Sequence, residues 1–263
     1  MRVTLNGIVS ADDDLWVYEW FGYTAFSPQA VRRALADNPE GEDLVLEINS
    51  GGGSVMAGSE IYSVLRSAQG VHTVAEIQSM AASAASYLCL GCDEVHISPV
   101  AQMMIHLPAT RTDGDRTDHL RSVQMLDSTR EAILNAYELR AGSKADRAQL
   151  RRMMTAETWL TAQEAVDYGL ADKILYQEEA APAPASLVAA AGAGIRALGT
   201  CQGVPDIMEL RAKIAQMHLD PEAGPAAEIT APAGGAPGAD KAQDWQAQAR
   251  LDLEKIRYYG GTR

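Results

Sequence analysis

Residues 44–66 read LVLEINSGGGSVMAGSEIYSVLR. The stretch opens as a short apolar strand, and three glycines, Gly51 to Gly53, follow it. Behind the glycines, apolar residues such as Val55, Ile61 and Leu65 are spaced as on a helix. Glycine lets the backbone turn sharply and brings bare N–H groups close to a ligand. At a helix start, such N–H groups can hold an anion or a developing oxyanion. A simple tight turn would use the same glycines, and no Lys-Ser or Lys-Thr follows them to make a phosphate-binding loop.

Strands and helices alternate on both sides of this stretch, which predicts an α/β fold with largely parallel strands. The predicted helices include one opened by Ser27 and Pro28, one from about Thr117 to Ala141, and one with a capping box at Thr161 that Gly169 can end. The predicted strands are residues 3–9, His72 to Ile77, Val95 to Ile97 and Met103 to Ile105.

A second run of small residues, SMAASAAS at residues 79–86, is predicted to open a helix directly after the strand ending at Ile77. A serine at a helix start gains help from the helix dipole when negative charge develops beside it. Small neighbours leave room for a substrate carbonyl, although close helix packing would favour the same residues. This reasoning does not rank Ser79, Ser83 and Ser86 as nucleophiles.

A nucleophilic serine needs a base, and the chain has five histidines. His72 and His96 lie in predicted strands with apolar neighbours, which favours structural roles. His119 lies in a charge-rich stretch and His218 lies far along the chain. His106 follows the strand Met103 to Ile105 and begins a loop. Functional side chains of α/β proteins usually lie at such strand ends.

The composition changes near residue 177, which we take as the end of a first domain, residues 1–177. Residues 178–204 are rich in Ala, Pro and Gly and are predicted to form a flexible linker. Residues 205–263 are predicted to form a low-order helical tail that binds a protein partner. Its amphipathic segment runs from Pro205 to Leu219.

The charge and composition exclude several classes of protein. A net charge of −13 without a basic tract argues against nucleic-acid binding. No apolar run long enough to span a membrane and no basic-then-apolar leader occur, so a cytoplasmic location is expected. Cys89, Cys92 and Cys201 are too few for a disulfide framework or a zinc site, and we interpret them as core thiols.

Four ordered motifs, INSGGGSV, SMAASAAS, MMIHLPAT and WLTAQEAVDYGLAD, make residues 1–176 resemble the proteolytic subunit of Clp protease. The resemblance implies a ClpP/crotonase-type fold of stacked strand–helix repeats, with the long helix from about Thr117 as the oligomerisation handle. It also implies a homo-oligomeric ring, protein or peptide substrates, and a serine endopeptidase that works through an acyl-enzyme without a metal or cofactor.

The resemblance also assigns site residues. The family's nucleophile falls on Ser83 and its base on His106. Its oxyanion donors fall on the backbone N–H groups of Gly53 and Ala84. The third triad member falls on Glu157, where the family usually has aspartate; a longer carboxylate can still accept the imidazole N–H.

Some features depart from the family pattern. Gly51 replaces a proline, Ser79 replaces a glycine, and the connection from serine to histidine is two residues shorter. The chain opens almost directly on its first strand, so an unfoldase ATPase partner is uncertain. With the added tail, the sequence is more similar to Clp-like proteases of phage and prophage head assembly, which process capsid and scaffold proteins. The site would then work in the host cytoplasm or inside the prohead.

Three alternatives remain. A crotonase-type acyl-CoA enzyme would share the fold and the glycine turn, but it would not need an aligned serine and histidine. A Ser-Lys peptidase would need Lys144 or Lys173 as its base, because no other lysine occurs in the predicted domain. A non-catalytic assembly protein could retain the fold. This alternative stays open because Glu157 and the altered glycine positions depart from the family pattern.

Overall fold

The computed structural model of the protein describes residues 1–177 and 205–219. In chain order the elements are β1 (Arg2–Val9), a 3-10 turn (Asp12–Asp14), α1 (Leu15–Trp20), β2 (Ala25–Phe26), α2 (Pro28–Asp37), β3 (Leu44–Gly53), α3 (Val55–Arg66), β4 (Thr73–Ala82), α4 (Ala84–Leu88), a 3-10 turn (Cys89–Gly91), β5 (Glu94–Ile97), β6 (Gln102–Ile105), α5 (Arg116–Ala141), α6 (Arg147–Thr155), β7 (Thr158–Thr161), α7 (Ala162–Asp167), β8 (Lys173–Ile174) and α8 (Ile207–Leu219).

The described strands form one sheet in which β2, β1, β3, β4, β5 and β8 are neighbours in that order. These strands pair in parallel. β6 leaves this order: it pairs in parallel with the far end of β4, and β7 pairs antiparallel with β6. The predicted α/β fold with largely parallel strands is therefore confirmed.

The core lies between the sheet and the helices that pack on it. β3 buries alternate side chains, among them Leu44, Leu46 and Ile48, as expected for a strand with one face on the core. Helix α5 contributes Leu134 and Tyr137, both essentially inaccessible to solvent. These buried elements fix the strand ends at which the candidate site residues lie.

Two local predictions were wrong about where a strand ends. The segment from Ser79 to Ala82 was expected to be helical, but it continues β4, because β6 supplies a pairing partner from Met80 to Ala82. Helix α4 begins only at Ala84. β3 likewise continues through the glycines to Gly53, which pairs with Val9 of β1. In both places a neighbouring strand distant in sequence extends the ladder.

Trp16–Phe21 and residues 205–219 belong to one compact unit, and the other described residues belong to a second unit. Inside the first of these units the Tyr18 hydroxyl donates a hydrogen bond to the Pro205 carbonyl, at 3.4 Å. Helix α8 lies within the segment Pro205 to Leu219, and its side chains Leu210 and Ile214 are buried. The predicted linker, residues 178–204, and the tail beyond residue 219 lie outside the described residues. The boundary at residue 177 stays a prediction.

Among the helices in residues 1–177 and 205–219, none is both long enough and apolar enough to cross a bilayer.

Candidate active site

Ser83 lies at the sharp junction between β4 and α4. Its backbone has φ 53° and ψ −124°, in a region that a residue with a side chain rarely adopts. Such a conformation costs about 1–3 kcal/mol and persists only where the surroundings hold it. The Ser83 amide donates to the Met104 carbonyl at 3.0 Å, and the Ser83 carbonyl accepts the Ser86 amide at 3.0 Å. The half-buried side chain is thereby presented at the end of the strand.

His106 lies opposite this junction. It follows β6, which pairs with β4 in a register that aligns Met104 with Ala82, one residue before Ser83. The His106 Nε2 atom is 2.7 Å from the Ser83 Oγ atom. Neutral imidazole can accept the hydroxyl proton at this nitrogen. Partial burial is the main cause that lowers the pKa of His106 from its ordinary value, and the negative charge of Glu157 opposes it.

Glu157 reaches the site through the antiparallel pairing of β6 with β7. Thr158 pairs with Ile105, so the preceding Glu157 lies across from His106. Its backbone is also left-handed, with φ 49°, and its side chain is exposed. In the described part of the chain, no hydrogen bond joins the Glu157 carboxylate to His106. The carboxylate acts on the imidazole as a nearby charge, which is a looser relation than the direct bond that sequence reasoning expected.

The glycine run of β3 contacts the Ser83 junction. A Cβ atom built on Gly52 would lie 2.7 Å from the Ser83 Cβ atom and 2.9 Å from the Ala84 nitrogen. Ala84 begins α4, and the first N–H groups of a helix have no acceptor within it. Gly53 lies beside Val9, and the next amide, that of Ser54, donates to the Val9 carbonyl at 2.8 Å. The structure places Ala84 directly after Ser83 and beside Gly52, whereas the contacts of Gly53 are with Val9 of β1. The oxyanion roles of Gly53 and Ala84 stay predictions.

Gly52 is a site residue that sequence reasoning missed. A side chain there would occupy the space beside the Ala84 N–H group, and its φ of 95° is itself unfavourable for other residues. The signal was present in the triple glycine, but the sequence does not show which glycine faces the serine.

A narrow recess opens beside Ser83 and His106. Its other walls are Val55, Tyr87, Pro108, Ile133 and Tyr137. The recess has room for about one water molecule. The Tyr87 hydroxyl donates to the Val55 carbonyl at 2.8 Å, and the Tyr137 hydroxyl contacts the Ser86 hydroxyl at 2.6 Å. With both hydroxyls engaged, the walls of the recess are mainly apolar.

The other histidines and the lysine candidates have partners elsewhere. His72 and His96 contact Glu94, and His119 contacts Thr112. Lys144 donates to the Val166 carbonyl at 2.9 Å, and Lys173 lies 3.8 Å from Glu94. Neither lysine lines the recess at Ser83, which argues against the Ser-Lys alternative. The side chain of His218 lies outside the described residues.

Cys89 and Cys92 do not line the recess beside Ser83. Cys89 and Cys92 are unpaired and fully buried, as predicted for core thiols, and Cys201 lies outside the described residues. Burial raises the pKa of the Cys89 thiol to about 12, so it stays protonated. Among residues 1–177 and 205–219, no group of three or more His, Cys, Asp or Glu side chains could hold a metal ion.

A strained serine at a strand-to-helix junction, hydrogen-bonded to an imidazole just after a neighbouring strand, is an arrangement typical of serine hydrolases. Comparison with known proteins gives the family. A family model described as Clp protease matches residues 30–178, more than half of the chain, and the protein belongs to the Clp protease family. It is similar to the ATP-dependent Clp protease proteolytic subunit 1 of Frankia casuarinae, with 28% identity over 148 residues, covering 56% of this chain and 68% of the relative.

Proposed function

We propose that the protein is a serine endopeptidase with Ser83 as nucleophile and His106 as general base. The observation that carries the proposal is the 2.7 Å contact between the Ser83 Oγ and the His106 Nε2 atoms at a strained junction. The distance lies within the range over which a base can take a hydroxyl proton. Membership of a protease family supports the same conclusion.

The proposed reaction is acyl transfer to water. His106 takes the hydroxyl proton while Ser83 Oγ attacks the peptide carbonyl, and the N–H groups of Gly53 and Ala84 stabilise the negative carbonyl oxygen. His106 then gives the proton to the leaving amine as the C–N bond breaks. Water hydrolyses the Ser83 ester through the same base. Glu157 stabilises the imidazolium through its charge.

Replacing Ser83 with alanine tests the proposal. Loss of the nucleophile of a Ser-His site typically lowers kcat by about 10³-fold or more. Ser79→Ala is a matched control, because Ser79 is an exposed serine of the same strand. Hydrolysis of a short fluorogenic peptide that stays near the wild-type rate in Ser83→Ala would refute the assignment.

The recess beside Ser83 bears on the substrate class. Because it is narrow and mainly apolar, we expect it to take a small apolar side chain, such as alanine, on the acyl side of the cleaved bond. A polypeptide substrate with small residues at its cleavage site fits this surface.

We further infer that the protein assembles as a ring and processes capsid or scaffold proteins in a phage or prophage prohead. Helix α5 supports assembly, since it exposes the apolar side chains Leu120, Val123, Met125 and Leu139. The prohead role rests on the sequence resemblance and the residues added after the protease region. Incubating the intact chain with a phage scaffold protein, without an ATPase, tests it; cleavage only with an added unfoldase would contradict it.

A non-catalytic assembly protein is the second candidate. The exposed position of Glu157, without a hydrogen bond to His106 in the described residues, favours it. Reaction of Ser83 with an active-site reagent separates the two candidates, because an inactive scaffold would leave this serine unlabelled.

A further inference from the structure

Ser86 binds the carbonyl of the proposed nucleophile with two groups. It lies one helical turn after Ser83 and is fully buried. Its amide donates to the Ser83 carbonyl at 3.0 Å, and its hydroxyl donates to the same oxygen at 2.6 Å. A serine hydroxyl carries a single proton, and that proton is used on Ser83. The contact of 2.6 Å between the Ser86 and Tyr137 hydroxyls must therefore be donated by Tyr137.

Tyr137 comes from α5, far from Ser86 in the sequence, and it too is buried. Its ring packs edge-on against Tyr87, with centroids 6.5 Å apart and an interplanar angle of 86°. Burial raises the pKa of the Tyr137 hydroxyl, which keeps its proton available as a donor. A directed chain of hydrogen bonds thus runs from Tyr137 to Ser86 to the Ser83 carbonyl.

This series of hydrogen bonds restrains the carbonyl of the strained residue Ser83. The Ser83 amide is restrained as well, because it donates a hydrogen bond to the carbonyl of Met104, on the strand that precedes His106. The unfavourable backbone conformation of Ser83 persists only while hydrogen bonds restrain both its amide and its carbonyl. If either hydrogen bond were lost, the backbone would relax and rotate Oγ away from the imidazole. Small misplacements of reacting groups reduce rates strongly because acyl transfer needs aligned atoms.

We propose that Ser86 and Tyr137 are positioning residues for acylation, which fix the backbone of Ser83 so that its hydroxyl stays aligned with His106. The inference rests on the proposed function of Ser83. It assigns a role in the reaction to two residues that do not themselves touch the scissile bond. Nothing in the sequence besides the spacing of Ser83 and Ser86 on a helix start points to this role.

The test compares Ser86→Ala, Tyr137→Phe and the double variant in the intact chain. Thr73→Val is the matched control, since Thr73 is a buried residue whose hydroxyl bonds Asp93 at the other end of β4. For each variant we would measure kcat and KM on a fluorogenic peptide well below its Tm. We would also measure the rate of labelling by a fluorophosphonate and the pH profile of kcat/KM.

We expect Ser86→Ala to lower kcat and the labelling rate by about 10- to 100-fold, and Tyr137→Phe by about 3- to 10-fold, with KM nearly unchanged. The double variant should be no slower than Ser86→Ala, because the two groups act in series. The acid limb of the pH profile should stay in place, because the charges around His106 are unchanged. Thr73→Val should lower Tm while kcat stays near wild type.

The inference fails if Ser86→Ala and Tyr137→Phe lower Tm like the control but keep kcat and labelling near wild type. If Ser86→Ala does not fold, Tyr137→Phe decides alone. Failure of the proposed function looks different: Ser83→Ala would then keep its activity, whatever the two positioning variants do.

Discussion

At the scale of single residues, Gly52 gives a sharp test of the site geometry. We expect Gly52→Ala to lower kcat by about 10²-fold or more, because its methyl would crowd Ser83 and the Ala84 N–H group. Gly51→Ala is the matched control: a Cβ atom there meets only the Met80 side chain, at 3.7 Å. Peptide hydrolysis and circular dichroism on both variants would check this. Equal activity of the two variants would show that Gly52 does not border the reacting atoms.

The pH dependence tests the pairing of His106 with Glu157. The base must be neutral, and burial lowers the pKa of His106 from its ordinary value, so the acid limb of kcat/KM should have its midpoint below that of a free histidine. Glu157→Gln removes a charge that favours imidazolium, so the acid limb should move to still lower pH while kcat decreases. Glu157→Asp keeps the negative charge, so the acid limb should stay near its wild-type position and part of the activity should remain. A limb that does not move in Glu157→Gln would show that another group faces the imidazole.

Sequence reasoning identified the site residues unevenly. Ser83 and His106 lie within local motifs, and the structure brings them together. Gly52 and Tyr137 were missed, because their roles depend on which side of a strand or helix faces Ser83. The geometry of Glu157 depends on the antiparallel pairing of β6 with β7, which joins residues about fifty positions apart and leaves no local pattern.

At the scale of elements, α5 forms one wall of the recess. We expect Ile133→Ala to widen it, raising kcat/KM for a leucine relative to an alanine on the acyl side by about 10-fold or more. Leu134→Ala is a matched control, because Leu134 is also buried on the same helix but does not line the recess. Each change should cost about 2–5 kcal/mol of stability. Initial rates on paired peptides would measure the preference. The same preference in both variants would contradict the assigned wall.

The elements themselves were predicted well where the signal was local. The capping box at Thr161, the Pro28 helix start and the long uninterrupted helix α5 all lie close to their predicted positions. The errors fell at the two strand ends nearest the site. There, Ser79 to Ala82 and the glycine run have weak intrinsic preferences, and pairing with β6 and β1 decided their conformation.

At the scale of the whole molecule, assembly is expected to depend on the exposed apolar side chains of α5. We predict that Val123→Glu lowers the sedimentation coefficient of the assembled protein, because a charge would be buried at a contact between copies. Gln124→Glu is the control, an exposed neighbour that gains the same charge without losing an apolar side chain. Sedimentation velocity would measure both variants, and an unchanged Val123→Glu assembly would place the contact elsewhere.

The central claim is that Ser83 is an activated nucleophile, and labelling of the intact chain with a fluorophosphonate tests it most directly. We would digest the labelled protein, locate the modified residue by mass spectrometry, and repeat the reaction with Ser83→Ala and His106→Ala. Modification of Ser83 alone, absent in Ser83→Ala and strongly slowed in His106→Ala, is the result that we predict. An unlabelled protein, or a label on another serine that persists in Ser83→Ala, would contradict it.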